Sequence, residues 1–168
     1  MARPPRDSTS FGSDTYFVTA STFGHRALFQ SERMARLFID TLYHYRGEKK
    51  FLIHEFVLMR DHFHSLLSPA LGTLPISMQL IKGGLSYRAK KELGLNLEIW
   101  ERGYVEHRIR DSNDYACHLR YIYQNPVRAQ LVAAPQEYPY SSAYPGFDLD
   151  PCPQGLKPVA VIVHERHG

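Results

Sequence analysis

The sequence has few cysteines, no long apolar run and little excess of either charge. Its only two cysteines, Cys117 and Cys152, are too few for a disulfide framework and lack metal-ligand spacing. No apolar run reaches the roughly 18 to 20 residues that span a bilayer, and the first ten residues lack the apolar core of a signal peptide. These absences argue against membrane and secreted proteins, so we expect a cytoplasmic protein with reduced cysteines.

The rest of the composition is typical of one folded domain. A chain of 168 residues with 43% hydrophobic residues is long enough to bury a core. The net charge of +3 permits contact with a polyanion without requiring it. We expect a flexible arm at residues 1–13, a single domain over residues 14–144 and a C-terminal tail at residues 145–168. The apolar run at residues 159–163 is interpreted as an edge strand within that tail.

The first motif is a pair of histidines, His62 and His64, in a β-prone segment over residues 59–67. Side chains alternate along a strand, so both imidazoles should project from one face while Phe63 faces the other way. Two imidazoles in this arrangement suit one metal ion. The pattern alone is more often that of surface histidines or of hydrogen-bonded core histidines, and a second motif is needed to support a metal site.

The second motif lies at the end of a predicted helix. Good cap residues occur at 112–114, and apolar residues then recur at helical spacing until Pro126, where the prediction ends the helix. Tyr121 and Asn125 are one turn apart, so a phenol and an amide oxygen can be presented on one face, whereas Tyr123 points elsewhere. The alternative interpretation makes Tyr121 a half-buried aromatic residue and Asn125 a helix terminator.

The order of predicted elements indicates a fold class. Strands are predicted at residues 16–22, 51–59, from 62 onward and at 104–109, with helices from the Ser31 cap to Gly47 and from about residue 76 to Gly94. The order β-α-β-β-α-β predicts an α+β, ferredoxin-like core, in which an antiparallel sheet has helices packed on one face. The predicted helix that carries Tyr121 follows this core as an additional element.

Taken together, the motifs resemble the single-tyrosine HUH transposases, particularly the REP-associated tyrosine transposases. Members commonly read Y-x-V-T, L-F, M-P-N-H-x-H, W-x-R-x-Y, I-R-D, Y-I-x-x-N-P-V-R-A-G-L-V and Y-P-W-S-S. The corresponding runs lie, in the same order, at residues 16–19, 28–29, 59–64, 100–104, 109–111, 121–132 and 138–142. Three departures are visible: Arg60-Asp61 replaces Pro-Asn, Gln130 replaces a glycine, and Tyr140 replaces a tryptophan.

The resemblance implies a metal-dependent DNA endonuclease and strand transferase. Tyr121 would be the nucleophile, leaving a 5′-phosphotyrosine and a free 3′-hydroxyl, and His62, His64 and Asn125 would hold Mg²⁺ or Mn²⁺, although the ligand types equally allow zinc. Asp61 would orient an imidazole without ligating the metal. The implied partner is single-stranded or hairpin DNA from repetitive extragenic or transposon-end sequences, bound by a monomer or a homodimer.

Positively charged residues near these motifs are candidates for contact with a nucleic-acid backbone, although a solvated helix face explains several of them equally well. The candidates are Lys82, Arg88, Arg102, Arg108 and Arg110. Trp100 is either a stacking platform for bases or a core residue.

Other functions stay open at this point. The fold could be a catalytically inactive module that binds hairpin DNA, for which the altered Asp61 is the main support. Metal chemistry could instead use water as the nucleophile, which makes a phosphodiesterase and leaves Tyr121 without a role. A histidine-triad hydrolase is disfavoured because Leu66 occupies the place of the expected third alternating histidine.

Overall fold

Four strands form one antiparallel sheet in the order β2-β3-β1-β4. The structure is a computed structural model that describes residues 14–156, so the predicted arm at 1–13 and the predicted edge strand at 159–163 lie outside the described residues. The strands are β1 Tyr16–Ser21, β2 Phe51–Leu58, β3 His62–Pro69 and β4 Val105–Arg108. Because β3 and β1 are the inner strands, residues on them have sheet neighbours on both sides.

Three α-helices cover the sheet: α1 Glu32–Gly47, α2 Leu74–Leu93 and α3 Ser112–Arg128. The β-α-β-β-α-β order and the α+β class predicted from the sequence are confirmed. The Ser31 side chain accepts a hydrogen bond from the main chain of Met34 and caps α1, and Gly94, at φ +66°, ends α2 in the left-handed conformation that glycine adopts without strain. No helix within residues 14–156 is long and apolar enough to cross a membrane.

The two faces of the sheet pack against different helices. Phe63 and Leu67 of β3 lie in the large core shared with α1 and α2, whereas Leu66 lies in a second cluster with Leu119 and Ile122 of α3. Since successive side chains of a strand point to opposite faces, the even-numbered residues of β3 face α3. The side chains of His62 and His64 therefore lie on the α3 side.

The ends of α3 differ from the prediction. The helix is capped by Asp111, whose carboxylate accepts from the main-chain N–H of Asp114 at 2.8 Å, and not by residues 112–114. Pro126 lies inside the helix, which continues to Arg128. A proline only two residues from the end removes a single donor near the last turn, where the chain closes through Leu131 N–H bound to the Pro126 carbonyl at 3.0 Å.

Gln130 follows α3 with φ +59°, in the left-handed region. Glycine adopts this conformation without the steric cost imposed by a Cβ atom, which amounts to roughly 1 kcal/mol or more. This local geometry explains why a glycine is usual at this place in the resembled motif. Gln130 adopts the backbone conformation that glycine would have here, so the helix ends in the same way but with some backbone strain.

The segment after α3 covers the free edge of β2. The Leu58 N–H donates to the Tyr140 carbonyl and the Ser142 N–H donates to the Phe56 carbonyl, at 2.8 and 2.9 Å. The Ser142 hydroxyl also donates to the buried carboxylate of Glu55 at 2.6 Å. The serines of the Y-P-x-S-S motif thus protect an edge that would otherwise expose unpaired backbone groups.

Candidate active site

His62 and His64 lie side by side on the α3 face of β3. Their ring centroids are 4.8 Å apart and the ring planes are inclined by 73°. Phe63 between them is fully buried in the opposite core. This placement follows directly from strand alternation.

His64 is held so that one ring nitrogen lacks a partner. Its Nδ1 lies 2.7 Å from the hydroxyl of Thr19, the residue directly opposite on β1. Its Nε2 is buried and has no hydrogen-bond partner within the described residues. Buried polar atoms are nearly always paired, so an orphaned nitrogen beside a second imidazole fits a metal ligand. Burial, followed by the neighbouring His62, lowers the pKa of His64 to about 3, which keeps the ring neutral as a ligand must be.

His62 is oriented by Asp61. The Nδ1 of His62 donates to the Asp61 carboxylate at 2.7 Å, since a carboxylate can only accept, and this leaves Nε2 with a lone pair. The other carboxylate oxygen lies 3.9 Å from Nδ1 of His25. The residue that departs from the resembled motif therefore contacts one of the two imidazoles, in line with the expectation that it would orient an imidazole.

Tyr121 reaches the imidazole pair from α3. Its ring centroid is 5.2 Å from that of His64 and its side chain is 42% exposed, so the phenol is both adjacent to the pair and open to a large substrate. Asn125 lies half-buried one turn further along the helix. Tyr123 points into the interior, where its hydroxyl donates to the Glu55 carboxylate at 2.9 Å. The two tyrosines therefore occupy opposite environments.

Thr19 and Arg128 contact the candidate site, and neither was predicted as a site residue from the sequence. The guanidinium carbon of Arg128 lies 5.9 Å from the Tyr121 ring centroid, and no carboxylate of residues 14–156 forms an ion pair with this exposed arginine. Arg128 belongs to the motif at residues 121–132, and its spacing of seven residues from Tyr121, two helical turns, is the signal that could have identified its role. Thr19 is the last residue of the Y-x-V-T run, but its contact with His64 follows only from the β1–β3 register.

Two of the five candidate nucleic-acid contacts lie on the other side of the sheet. Lys82 and Arg88 belong to α2; the Lys82 ammonium donates to the Glu101 and Gly103 carbonyls, and Arg88 pairs with Glu92. Trp100 is buried and donates from Nε1 to the Lys82 carbonyl, which makes it a core residue. The structure does not bring these residues to the imidazoles.

The other three candidates are exposed. Arg108 lies opposite Tyr16 on β1, so its side chain leaves the sheet on the α1 and α2 side, and it is 3.6 Å from the Asp14 carboxylate. Arg110 lies beside α3, 3.5 Å from Asp114. Arg102 is on the loop before β4. Among the five, Arg110 is the one that contacts the helix carrying Tyr121.

A second cluster of metal-ligating groups lies on the α3 side of the sheet. His107, Asp114 and His118 each offer one ligand atom, and these atoms lie within 4.8 Å of one another, so the group could hold a metal ion. The Phe17 ring separates this cluster from the imidazole pair, at 4.6 Å from the ring of His118 and 5.2 Å from that of His64. This cluster was not predicted from the sequence, although Asp114 and His118 have the spacing of one helical turn.

These elements define a ferredoxin-like α+β domain with two alternating histidines facing a helical tyrosine. Two curated relatives are REP-associated tyrosine transposases by name. The first is from Haemophilus influenzae, and its name is provisional. It is 52% identical to this chain over 44 residues, which cover 26% of this chain and 25% of that protein. The other, from Escherichia coli, is 28% identical over 97 residues, which cover 58% and 57% of the two chains. No protein-family model matches this chain.

Two solved structures share the fold. The structure of a REP-associated tyrosine transposase bound to a REP hairpin has a TM-score of 0.66 at 23% identity, covering 84% of this chain and 82% of that one. A provisionally named transposase from Deinococcus radiodurans has a TM-score of 0.50 at 15% identity, covering 77% and 98%. The resemblance predicted from the motifs is confirmed by these comparisons, while the matched segments span only about a quarter and just over half of the two curated relatives.

The pKa of His64 predicts an acid-dependent loss of stability. Its folded-state pKa of about 3 is below the ordinary value of 6.5, so the contribution is fully present above pH 6.5 and is lost as the pH falls from there through about 3. Between pH 7 and 4 the metal-free protein should lose roughly 3 kcal/mol of unfolding free energy through this group. Urea unfolding of the wild type and of His64→Gln across this range measures it. An equal loss in both proteins would contradict the assignment.

Proposed function

We propose that this protein is a transposase-like DNA endonuclease and strand transferase that cleaves hairpin or repeat DNA through a 5′-phosphotyrosine. The observation that carries the proposal is the contact of Tyr121 with His64, whose buried Nε2 has no partner within the described residues. The named relatives support the transposase class, and the solved relative bound to a REP hairpin supports hairpin DNA as the partner.

His62, His64 and Asn125 are the residues that would hold the metal ion. Bound there, Mg²⁺ or Mn²⁺ would polarise the scissile phosphate as a Lewis acid. Asp61 is hydrogen-bonded to Nδ1 of His62, and Thr19 is hydrogen-bonded to Nδ1 of His64. Both Nε2 atoms are therefore left for the ion. Neutral His64 needs no deprotonation at physiological pH to serve as a ligand.

Tyr121 supplies the nucleophile. Its phenolic oxygen forms a bond to phosphorus while the bond from phosphorus to the 3′ oxygen breaks; the phenolic proton passes to water, and the departing 3′ oxygen takes a proton from water. One phosphodiester is exchanged for another, so the step needs no ATP and can be reversed onto a new 3′ end. The exposed position of Tyr121 gives single-stranded DNA access to it.

Arg128 is the cation placed to contact the phosphate. Its guanidinium lies beside the phenol and forms no ion pair with a carboxylate of the described residues. Guanidinium groups bind phosphate oxygens with two parallel hydrogen bonds and stabilise the charge that develops during displacement. Arg128 would therefore hold the phosphate against the Tyr121 oxygen.

A catalytically inactive hairpin-binding module is the alternative, favoured by the carboxylate of Asp61 beside the imidazole pair. It shares the fold and the DNA partner, and it differs in lacking the covalent step. The two functions are separated by whether a protein–DNA adduct forms.

Tyr121→Phe should abolish the covalent adduct while leaving DNA binding within about twofold of wild type, because the ring remains and only the attacking oxygen is removed. Labelled hairpin oligonucleotides copied from repeats flanking the gene, incubated with Mg²⁺ or Mn²⁺ and run on a denaturing gel, measure the adduct. The Tyr123 hydroxyl donates to the Glu55 carboxylate and lies away from the candidate site. The Tyr123→Phe variant should therefore still form the adduct, provided that circular dichroism shows it to be folded.

Two outcomes of this experiment would overturn the proposal. If wild-type protein shifts the DNA in a native gel and forms no adduct, the binding module is correct. If cleaved DNA without an adduct appears in the Tyr121→Phe variant, water is the nucleophile and the protein is a phosphodiesterase.

Arg128→Gln should slow single-turnover adduct formation about 100-fold, the cost typical of removing one transition-state donor, with a much smaller change in DNA affinity. Arg128→Lys should recover part of the rate, since it keeps the charge and loses the paired hydrogen bonds. Arg120→Gln removes an exposed arginine of the same helix and should leave the rate within twofold. Equal slowing in the Arg128 and Arg120 variants would show a general charge effect and no specific contact.

A further inference from the structure

We propose that His107, Asp114 and His118 form a second metal site, which takes a transition metal such as Zn²⁺ and joins β4 to α3. This inference is independent of the proposed DNA chemistry. It rests on ligand types, on their positions in two elements and on the hydrogen bonds that already orient the rings.

The three ligands come together from two elements. His107 is on β4, opposite Phe17 of β1, so its side chain leaves the sheet on the α3 side. Asp114 and His118 are one turn apart near the start of α3 and share a helix face. Only 9% of the Asp114 side chain and 22% of the His118 side chain are exposed. One strand residue and two helix residues therefore lie close enough together to share a metal ion.

Both imidazoles contact the Asp114 carboxylate in the metal-free protein. The His107 Nε2 lies 2.8 Å from the Asp114 carboxylate and the His118 Nδ1 lies 3.2 Å from it, and the two rings stack at 4.8 Å. In the metal-free protein the nitrogen of His107 that faces the carboxylate carries its proton. Metal binding at that nitrogen moves the proton to Nδ1, so the neutral ring gains a ligating lone pair by changing tautomer.

His118 carries the second orienting contact. Its Nδ1 is 2.8 Å from the main-chain carbonyl of Asp114, and a carbonyl can only accept, so Nδ1 bears the proton and Nε2 keeps a lone pair. An imidazole whose other N–H donates to a backbone carbonyl is the usual state of a zinc-ligating histidine. The backbone of the first turns of α3 therefore fixes this ring.

The ligand chemistry selects the ion. Two imidazoles and one carboxylate suit Zn²⁺ and other late first-row metals, with a fourth position left for water, whereas Mg²⁺ prefers a shell of oxygen atoms. Arg110 competes with the ion, because its guanidinium lies 3.5 Å from the same carboxylate. Removal of this positive charge should therefore strengthen metal binding.

Zn²⁺ binding to untagged full-length protein tests the site. The His62→Gln background weakens the imidazole pair, and Co²⁺ absorption followed by Zn²⁺ displacement reports the ligand set. We expect one equivalent of Zn²⁺, bound at least tenfold more weakly in both His107→Gln and His118→Gln, and bound a few-fold more tightly in Arg110→Gln.

Two controls make the result specific. His44 pairs with Glu48 one helical turn away, at 3.1 Å, so His44→Gln removes a histidine–carboxylate pair of the same spacing outside the cluster and should leave affinity unchanged. Cys117→Ser removes the exposed thiol next to His118 and should also have no effect. Absence of Zn²⁺ binding at 100-fold molar excess, equal affinity in the His107 variant, or loss of binding in the Cys117 variant would each overturn the proposal.

Discussion

The alternation of side chains along β3 is the constraint on which the rest of the site depends. One side of this inner strand places Phe63 and Leu67 in the core under α1 and α2, which fixes the register of the strand. The other side then has to present His62 and His64 toward α3. A slip of one residue would bury two imidazoles among aromatic side chains, so the same apolar contacts that stabilise the fold also hold the ligands in place.

The candidate site is assembled at a cost in hydrogen bonding. His64 is buried with Nε2 unpaired within the described residues, and an unsatisfied buried polar atom costs roughly 1 to 3 kcal/mol. The Thr19 hydroxyl offsets part of this cost at Nδ1 and orients the ring. An apolar side chain on the same face of β3, such as that of Leu66, is buried without this cost.

Much of the fold could be predicted because local chemistry determines it. Ser31 marks the start of α1 by capping it, and Gly94 marks the end of α2 through its left-handed backbone conformation. The alternating pattern identifies the faces of β3. Pro126 misled the prediction because a proline near a helix end removes only one hydrogen bond. Asp111 was missed as the cap because several neighbouring residues had equal propensity.

The parts of the site that could not be predicted depend on contacts between elements. Thr19 meets His64 only through the β1–β3 register, and His107 meets Asp114 only because β4 lies beside β1. The charges of Lys82 and Arg88 are visible in the sequence, but helix packing determines which side of the sheet they occupy. Tyr121 and its distinction from Tyr123 were accessible because one helix contains both.

The most direct test of the central claim is the distance between the phenol and an ion bound by the imidazole pair. Mn²⁺ is paramagnetic and broadens nearby proton signals, so it can be titrated into tyrosine-labelled protein in the His107→Gln background, which weakens the second cluster. The account predicts that the Tyr121 ring signals broaden well before those of Tyr87, which is exposed on α2 across the sheet, and that His62→Gln abolishes the difference. Equal broadening of both tyrosines, or selective broadening that survives His62→Gln, would contradict it.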